Sequence, residues 1–412
     1  MRKFIVVLCL LAVIPALIGC GGGGGASRAA GVGAGGVPTS ENNPGSMGDD
    51  AVPAGRFSQI PLAVFPCMGP NPAGIAPRLS LIVTDEGRMH IVRAAQAANP
   101  NLRFFLYEIV GATWDNLPYK NDPIGYSWIE ENHPEWFLLD QAGRRIHFQQ
   151  YPKLVALDVG NPEYQRVWVA NAISIAKALG AEAIMIDNMN SRYDWAYGPG
   201  VIPEKYPDRA SYIQALDSFV RYAVDRIHAA GLLVIGNAGG ESSNSGAWEQ
   251  WNELLDGRAY EPVPLFSDGS PQDVDARWVD FLSGFQKFAD KINIVYMPRK
   301  PISEQNYRYA VAEYLMCAGP QTYMALYCDD YESVPTDPLQ DIRIGNPIEL
   351  GHRVAGTVFE REYENGLVIV NSSRTQSAVV EVPAGLKTTD GVPVEAGSRT
   401  LAAHDSLILL KR

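Results

Sequence analysis

The chain has 412 residues and a formal net charge of −12, with 46% hydrophobic and 10% aromatic side chains. That acidic balance argues against nucleic acid and against a basic membrane-binding face. The six histidines are scattered, with neither a His-x-His nor an HExxH spacing, and no Cys/His cluster has metal-ligand spacing, so neither a metal nor another cofactor is expected.

Met1-Arg2-Lys3 is a basic start, and Phe4 to Ile18 is an apolar stretch too short to span a bilayer comfortably, the pattern of a secretory signal. It closes on Leu17-Ile18-Gly19-Cys20, which resembles the lipobox of bacterial lipoproteins. The resemblance implies cleavage before Cys20, lipidation of Cys20, and a folded part outside the cytoplasmic membrane, facing periplasm or cell surface. Gly21 instead of aspartate after the cysteine favours the outer membrane. Residues 21–55 are rich in Gly, Ala, Ser and Pro without apolar period and read as a flexible tether.

The first strand is expected at Gln59–Phe65 and the second at Leu79–Val83, followed by Thr84 as the cap of a helix to Ala98. The third covers Leu102–Tyr107. A long insertion with Trp114, Trp128, His133, Trp136 and Phe137 then runs to about Lys153; loops of that length inside a compact domain usually carry function. Leu154–Asp158 reads as an extended loop entering the next helix. Asn161-Pro162-Glu163 starts that helix with a cap residue, a proline at the first position and an acid in the first turn, and Gly180 stops it. Ala183-Ile184-Met185-Ile186-Asp187 is the fourth strand, a buried apolar run ending abruptly in a carboxylate. A helix with Ile213, Leu216, Val220 and Ile227 on one face stops at Gly231. Strands five to eight follow at Leu232–Asn237, Gly257–Glu261, Ile292–Met297 and Thr322–Tyr327, with helices around Trp278 to Phe285 and Tyr307 to Leu315. Eight strands alternating with helices over about 270 residues fit a (β/α)₈ barrel, placed at residues 56–345. From 349 to 412 helical periodicity disappears. Strands at Gly366–Asn371, Ala378–Pro383 and Ser406–Leu410, with turns at Asn365-Gly366 and Asp390-Gly391, describe a small all-β sandwich.

Three cysteines remain beyond Cys9 and Cys20, so at most one bridge forms. Cys67 and Cys328 lie just past the ends of strands one and eight, which are neighbours in such a barrel, and are the expected pair.

Groups at the carboxyl ends of barrel strands face the ligand. Asp187 ends strand four and Glu261 ends strand six, so both carboxyls point into one mouth, as glycoside hydrolysis requires. The alternative for Asp187 is a carboxylate tied into a salt bridge or loop hydrogen bonds. Glu108, Asp158 and Asp85 are other acids near strand ends, and any of them is an alternative to Glu261. Tyr107, Asn188, Asn237 and Tyr296 are candidates for sugar hydroxyls, and Trp114, Tyr193 and Trp195 for stacking on sugar rings; each serves equally well as a bracing or core residue.

The run Leu157-Asp158-Val159-Gly160-Asn161-Pro162-Glu163-Tyr164, then Trp168, then Ile184-Met185-Ile186-Asp187-Asn188, resembles a pattern in retaining TIM-barrel glycoside hydrolases of the α-galactosidase and α-glucosidase kind. It is most similar to the bacterial TIM-barrel glycosyl hydrolases labelled hypothetical, and the β-domain resembles their C-terminal sandwich. The resemblance implies Asp187 as nucleophile and Glu261 as acid/base, although those relatives commonly carry Asp at strand six. The expectation is a lipid-anchored glycoside hydrolase whose partners are a carbohydrate substrate and, through the N-terminal lipid only, a membrane. Two other readings remain open: a non-catalytic surface glycan-binding lipoprotein on the same scaffold, and an envelope-assembly protein with an exposed apolar patch.

Overall fold

A computed structural model of the chain describes residues 60–65, 74–115, 122–237, 246–260, 278, 282–285, 287–298, 302–327 and 336–412. Eight parallel strands close into a barrel: β1 (Leu62–Phe65), β2 (Leu79–Thr84), β3 (Arg103–Ile109), β4 (Ala183–Asp187), β5 (Leu233–Asn237), β6 (Gly257–Tyr260), β7 (Ile292–Tyr296) and β8 (Thr322–Tyr327). Closure comes from β1 pairing β8, with Ala63 opposite Ala325. All eight stand where the apolar runs put them, and their ends differ from expectation by at most a few residues.

The strand period of two then decides which side chains face the barrel interior. Arg103 of β3 donates from Nη1 to the Tyr323 hydroxyl of β8 at 2.9 Å, although these strands are not neighbours, so the bond crosses the interior. Register carries that face around the wall. Phe105 and Tyr107 share it on β3, Met185 and Asp187 on β4, Ile235 and Asn237 on β5, Gly257 and Ala259 on β6, and Tyr296 on β7. Gly257 is needed for space, because a Cβ there would lie 2.5 Å from the Ile292 carbonyl oxygen.

The helices are α1 (Met89–Ala98), α2 (Tyr126–Asn132), α3 (Pro162–Leu179), α4 (Tyr193–Tyr197), α5 (Arg209–Ala229), α6 (Gly246–Leu254) and α7 (Glu304–Cys317). Asn161 caps α3 by accepting from the amides of Glu163 and Tyr164, and Gly180 ends it in the left-handed conformation. Such a cap contributes about 1 kcal/mol. The start of the first helix differs from expectation: Asp85, not Thr84, is the cap, accepting from Gly87 N before a short 3₁₀ turn into α1. The two adjacent cap-forming residues are equivalent by type, and Thr84 remains in β2. Leu154–Ala156 lies outside the barrel, as read, but it is a strand and not a loop, paired antiparallel with Ala112–Trp114 across the insertion.

The C-terminal part forms a five-stranded and a two-stranded sheet. Its strands are β9 (His352–Ala355), β10 (Val358–Tyr363), β11 (Gly366–Asn371), β12 (Ala378–Val382), β13 (Leu386–Thr388), β14 (Gly397–Leu401) and β15 (Asp405–Lys411). The larger sheet runs β9-β10-β11-β15-β13 and the smaller pairs β12 with β14. Tyr363 pairs Gly366, so the β10–β11 turn is Glu364-Asn365, one residue earlier than read. Alternation divides the larger sheet between two cores. Val358, Ile369 and Leu409 pack with Val380, Val382 and Leu401 inside the sandwich. Phe359, Tyr363, Val368, Val370 and Ile408 join the barrel core. Helix α7 lies between barrel and sheet and is buried on nearly every side from Tyr307 to Cys317. Arg361 of β10 donates to the carbonyls of Leu315 and Met316, and the Tyr363 hydroxyl donates to Leu315, satisfying the open end of that helix.

Candidate active site

Asp187 sits at the carboxyl end of β4 with its side chain in the barrel mouth. Three donors converge on it. The Tyr107 hydroxyl of β3 donates to Oδ2, while Oδ1 accepts from the Asn188 amide at 2.8 Å and from Asn237 Nδ2 of β5 at 3.0 Å. Burial pushes the carboxyl above its ordinary range, and the three donors oppose that shift by favouring the charged form. The outcome is a carboxylate fixed in direction by three adjacent strand ends.

The backbone beyond Asp187 is part of this arrangement. Asn188 has φ 63°, one of two non-glycine residues with positive φ among the described residues. Asparagine tolerates that region better than most residues, and such outliers gather at functional sites. The turn aims the Asn188 amide back at Asp187 and lets the Met189 amide donate to the Asn237 carbonyl at 2.9 Å. No pattern in the sequence marks this geometry.

The structure thus brings together Tyr107, Asp187, Asn188 and Asn237. Tyr296 is fully buried on the interior face of β7. Tyr193 opens α4, is 9% exposed, stacks on Tyr197 and meets Tyr212 edge-on, so its ring holds the loop after β4 in place. Trp114 is half-buried against Tyr151. Asp158 lies elsewhere in the rim: it accepts from the Tyr206 hydroxyl, from Lys205 Nζ at 2.6 Å and from the Gly160 amide, which occupies both oxygens. Asp85 is taken by its capping bond and by Arg88.

Glu108 neighbours Tyr107 in the chain and therefore faces away from the mouth, on the outer side of β3. It is 1% exposed, and its Oε2 has no hydrogen-bond partner among the described residues. Burial, then the nearby carboxylates of Asp122, Glu86 and Asp85, push it well above the usual range. Glu261, Cys20, Cys67 and Cys328 fall outside the described residues, as does the side chain of Trp195. Among the described residues no group of His, Cys, Asp and Glu is placed to hold a metal.

The sequence matches the model of hypothetical glycosyl hydrolase family 15 over residues 96–367. The match covers more than half of the chain, and the chain belongs to that family. It is a glycoside hydrolase on a TIM barrel, acting on carbohydrate. No curated protein matches the sequence. Among solved structures, a family 27 β-L-arabinopyranosidase from Geobacillus stearothermophilus superposes with a TM-score of 0.52 at 9% identity, covering 87% of this chain and 98% of that one. A maltogenic α-amylase from Thermotoga neapolitana gives a TM-score of 0.48 at 11% identity, over 86% of this chain and 99% of that chain. At the first of these values the likeness is one of fold, and function has to be argued from the site.

Proposed function

We propose that the chain is an exported, lipid-anchored enzyme that cleaves α-linked sugars of an oligo- or polysaccharide by a two-carboxylate mechanism. Asp187 is the nucleophile and Glu261 the acid/base. The observation that carries this reading is the convergence of Tyr107, Asn188 and Asn237 on Asp187 at the end of β4. A nucleophilic carboxylate must stay ionised and hold one direction against a sugar ring, and hydrogen bonds to the charged form do both.

Asp187 attacks the anomeric carbon while Glu261 gives its proton to the departing glycosidic oxygen. Water then opens the glycosyl ester and returns a proton to Glu261. Glu261 is chosen because it stands two residues beyond Ala259, a residue of the interior face of β6. The described alternatives serve less well, Glu108 lying outside the barrel and Asp158 being held by Lys205 and Tyr206. If the enzyme retains configuration, the two carboxyls lie ~5–5.5 Å apart; inversion needs ~6.5–9.5 Å. Lipidation at Cys20, with an outer-membrane site facing periplasm or surface, rests on the signal sequence alone.

The test is hydrolysis of a panel of α- and β-linked polysaccharides by the full chain in detergent, beside Asp187→Asn. Release of reducing sugar by the parent, falling on the order of 10⁴- to 10⁶-fold in the variant, is expected for a lost nucleophile. Activity that survives the substitution discards Asp187. Binding without cleavage by the parent supports the glycan-binding lipoprotein instead.

A further inference from the structure

The insertion after β3 carries most of its aromatic side chains inside. Trp136 is 0% exposed and Phe137 2%. Trp128 does not follow them: at 42% it is the exposed aromatic ring among the described side chains, in a set whose other large members are Ile, Leu and Val. It projects from the short helix α2, which Ile129 anchors in the core.

This indole is held stiffly. The His133 ring lies flat on Trp136, centroids 4.0 Å apart at 6°. Trp128 leans over both, 5.3 Å from His133 and 6.0 Å from Trp136. Trp136 in turn meets Tyr164 of α3 edge-on at 5.7 Å. A leucine would cover Trp136 equally well, without presenting a broad flat face to water.

The position relates to the mouth. The insertion leaves the carboxyl end of β3, the barrel end that holds Asp187. Its later part docks on the loop that follows β4: Lys205 Nζ reaches the Glu135 carbonyl at 3.4 Å while gripping Asp158, Asp140 bridges Pro203, and the Gln149 amide donates to the Ala196 carbonyl at 2.9 Å. The platform and the loop beyond the nucleophile are one connected rim. Glu131, Asn132 and Glu135 are exposed beside the ring. Amide and carboxylate groups next to a flat aromatic face suit a sugar, whose C–H face stacks while its hydroxyls donate. The carboxylates, on a chain of net charge −12, repel acidic sugars.

We propose that Trp128, backed by His133 and Trp136, is a glycan-holding platform outside the catalytic cleft that stacks on a hexose unit of a neutral polysaccharide. This rests on the glycan-cleaving reading above and adds that the substrate is a polymer long enough to leave the cleft.

Affinity electrophoresis of the full chain in detergent, carrying Asp187→Asn to stop turnover, tests it with soluble starch, dextran, galactomannan and polygalacturonate. Trp128→Leu keeps the apolar cover over Trp136 and removes the flat ring; Trp128→Phe restores a ring. The expected result is retention by at least one neutral polymer, roughly tenfold weaker in the Leu variant and largely restored in the Phe variant. In the chain with Asp187 intact, Trp128→Leu lowers kcat/KM on that polymer and leaves a short chromogenic glycoside unaffected. Equal retention of the parent and Leu variants, or no retention by any neutral polymer, overturns the platform. Polygalacturonate held as tightly as the neutral polymers overturns the assignment to neutral glycans. Retention through Trp128 with no hydrolysis by the intact chain sinks the hydrolase reading and leaves the platform standing.

Discussion

Asp187, half-buried at the barrel mouth, and Glu313, fully buried in the helix between barrel and sandwich, are both carboxyls drawn partly or wholly out of water, and the chain treats them in opposite ways. Asp187 receives three hydrogen bonds from three strand ends. Glu313 is 0% exposed, and neither of its oxygens has a partner among the described residues. Burial pushes both carboxyls up. Only Asp187 has donors that pull back, so its carboxylate form is oriented and favoured by hydrogen bonds that Glu313 lacks. Burial by itself therefore marks no active site in this molecule; burial together with converging donors does. His404 belongs with Glu313. It too lies where the sandwich meets α7, its ring packed 3.8 Å from Tyr309, with neither nitrogen hydrogen-bonded among the described residues.

The sharpest way to break the contrast is to remove a donor at the mouth. The Tyr107 hydroxyl bonds the charged form of Asp187, so Tyr107→Phe raises the carboxyl's pKa further. A hydrogen bond to a charged group contributes about 1.5–3 kcal/mol, which predicts a tenfold to hundredfold fall in kcat. The sign of the pH effect follows from the same bond. At any acidic pH more of the variant is protonated, so the acid limb of the kcat/KM profile moves to higher pH. A profile that keeps its acid limb would show that an ionised Asp187 is not what the reaction requires.

The junction gives a smaller effect on stability. Burial lowers His404 from 6.5 to about 4. Between those values the unfolded chain binds a proton that the folded chain does not, so stability falls as pH drops through this window and is flat above it. The loss is about 2 kcal/mol at most, after allowing for partial hydration and for Asp405, which favours the charged ring. Urea titrations from pH 7 to pH 5 check this beside His404→Asn, a residue that accepts the φ of 52° at this position. The variant should lose the slope in that window; an unchanged slope assigns it to other groups.

Much of this architecture was legible because its signals are local. Ala183–Ile186 is an apolar run, and Asn161-Pro162 and Gly180 mark the two ends of α3 within the chain itself. The site was legible only in part, because its bonds are long-range. Tyr107 and Asp187 are 80 residues apart, and Asp187 and Asn237 are 50 apart. Tyr107 and Glu108 are both candidates by sequence, yet adjacent residues of a strand face opposite sides, so only one belongs to the mouth. Which one was set by the Arg103–Tyr323 bond across the barrel, a fact of closure that no window of sequence contains. Asp158 looked like a site acid because its partners Lys205 and Tyr206 stand almost fifty residues away. The left-handed Asn188 is a property of one dihedral angle and has no composition signal.

The smallest expected effect lies at Glu313 itself, and it runs against the habit of treating a buried acid as functional. Even a neutral carboxyl has polar oxygens, and leaving them without partners costs free energy that an apolar side chain of similar size does not. Glu313→Leu should therefore stabilise the fold, by about 1 kcal/mol, without changing hydrolysis. Thermal melts read the first expectation and turnover of the polymer the second. Arg361 and Tyr363 hold the end of α7 through backbone carbonyls, so the substitution leaves the contacts that join barrel to sandwich intact. A destabilised variant would mean that Glu313 finds a partner in solution, such as bound water between α7 and the neighbouring strands. A stable variant with impaired turnover would mean that the junction is coupled to the mouth, and the contrast between the two regions would have to be given up.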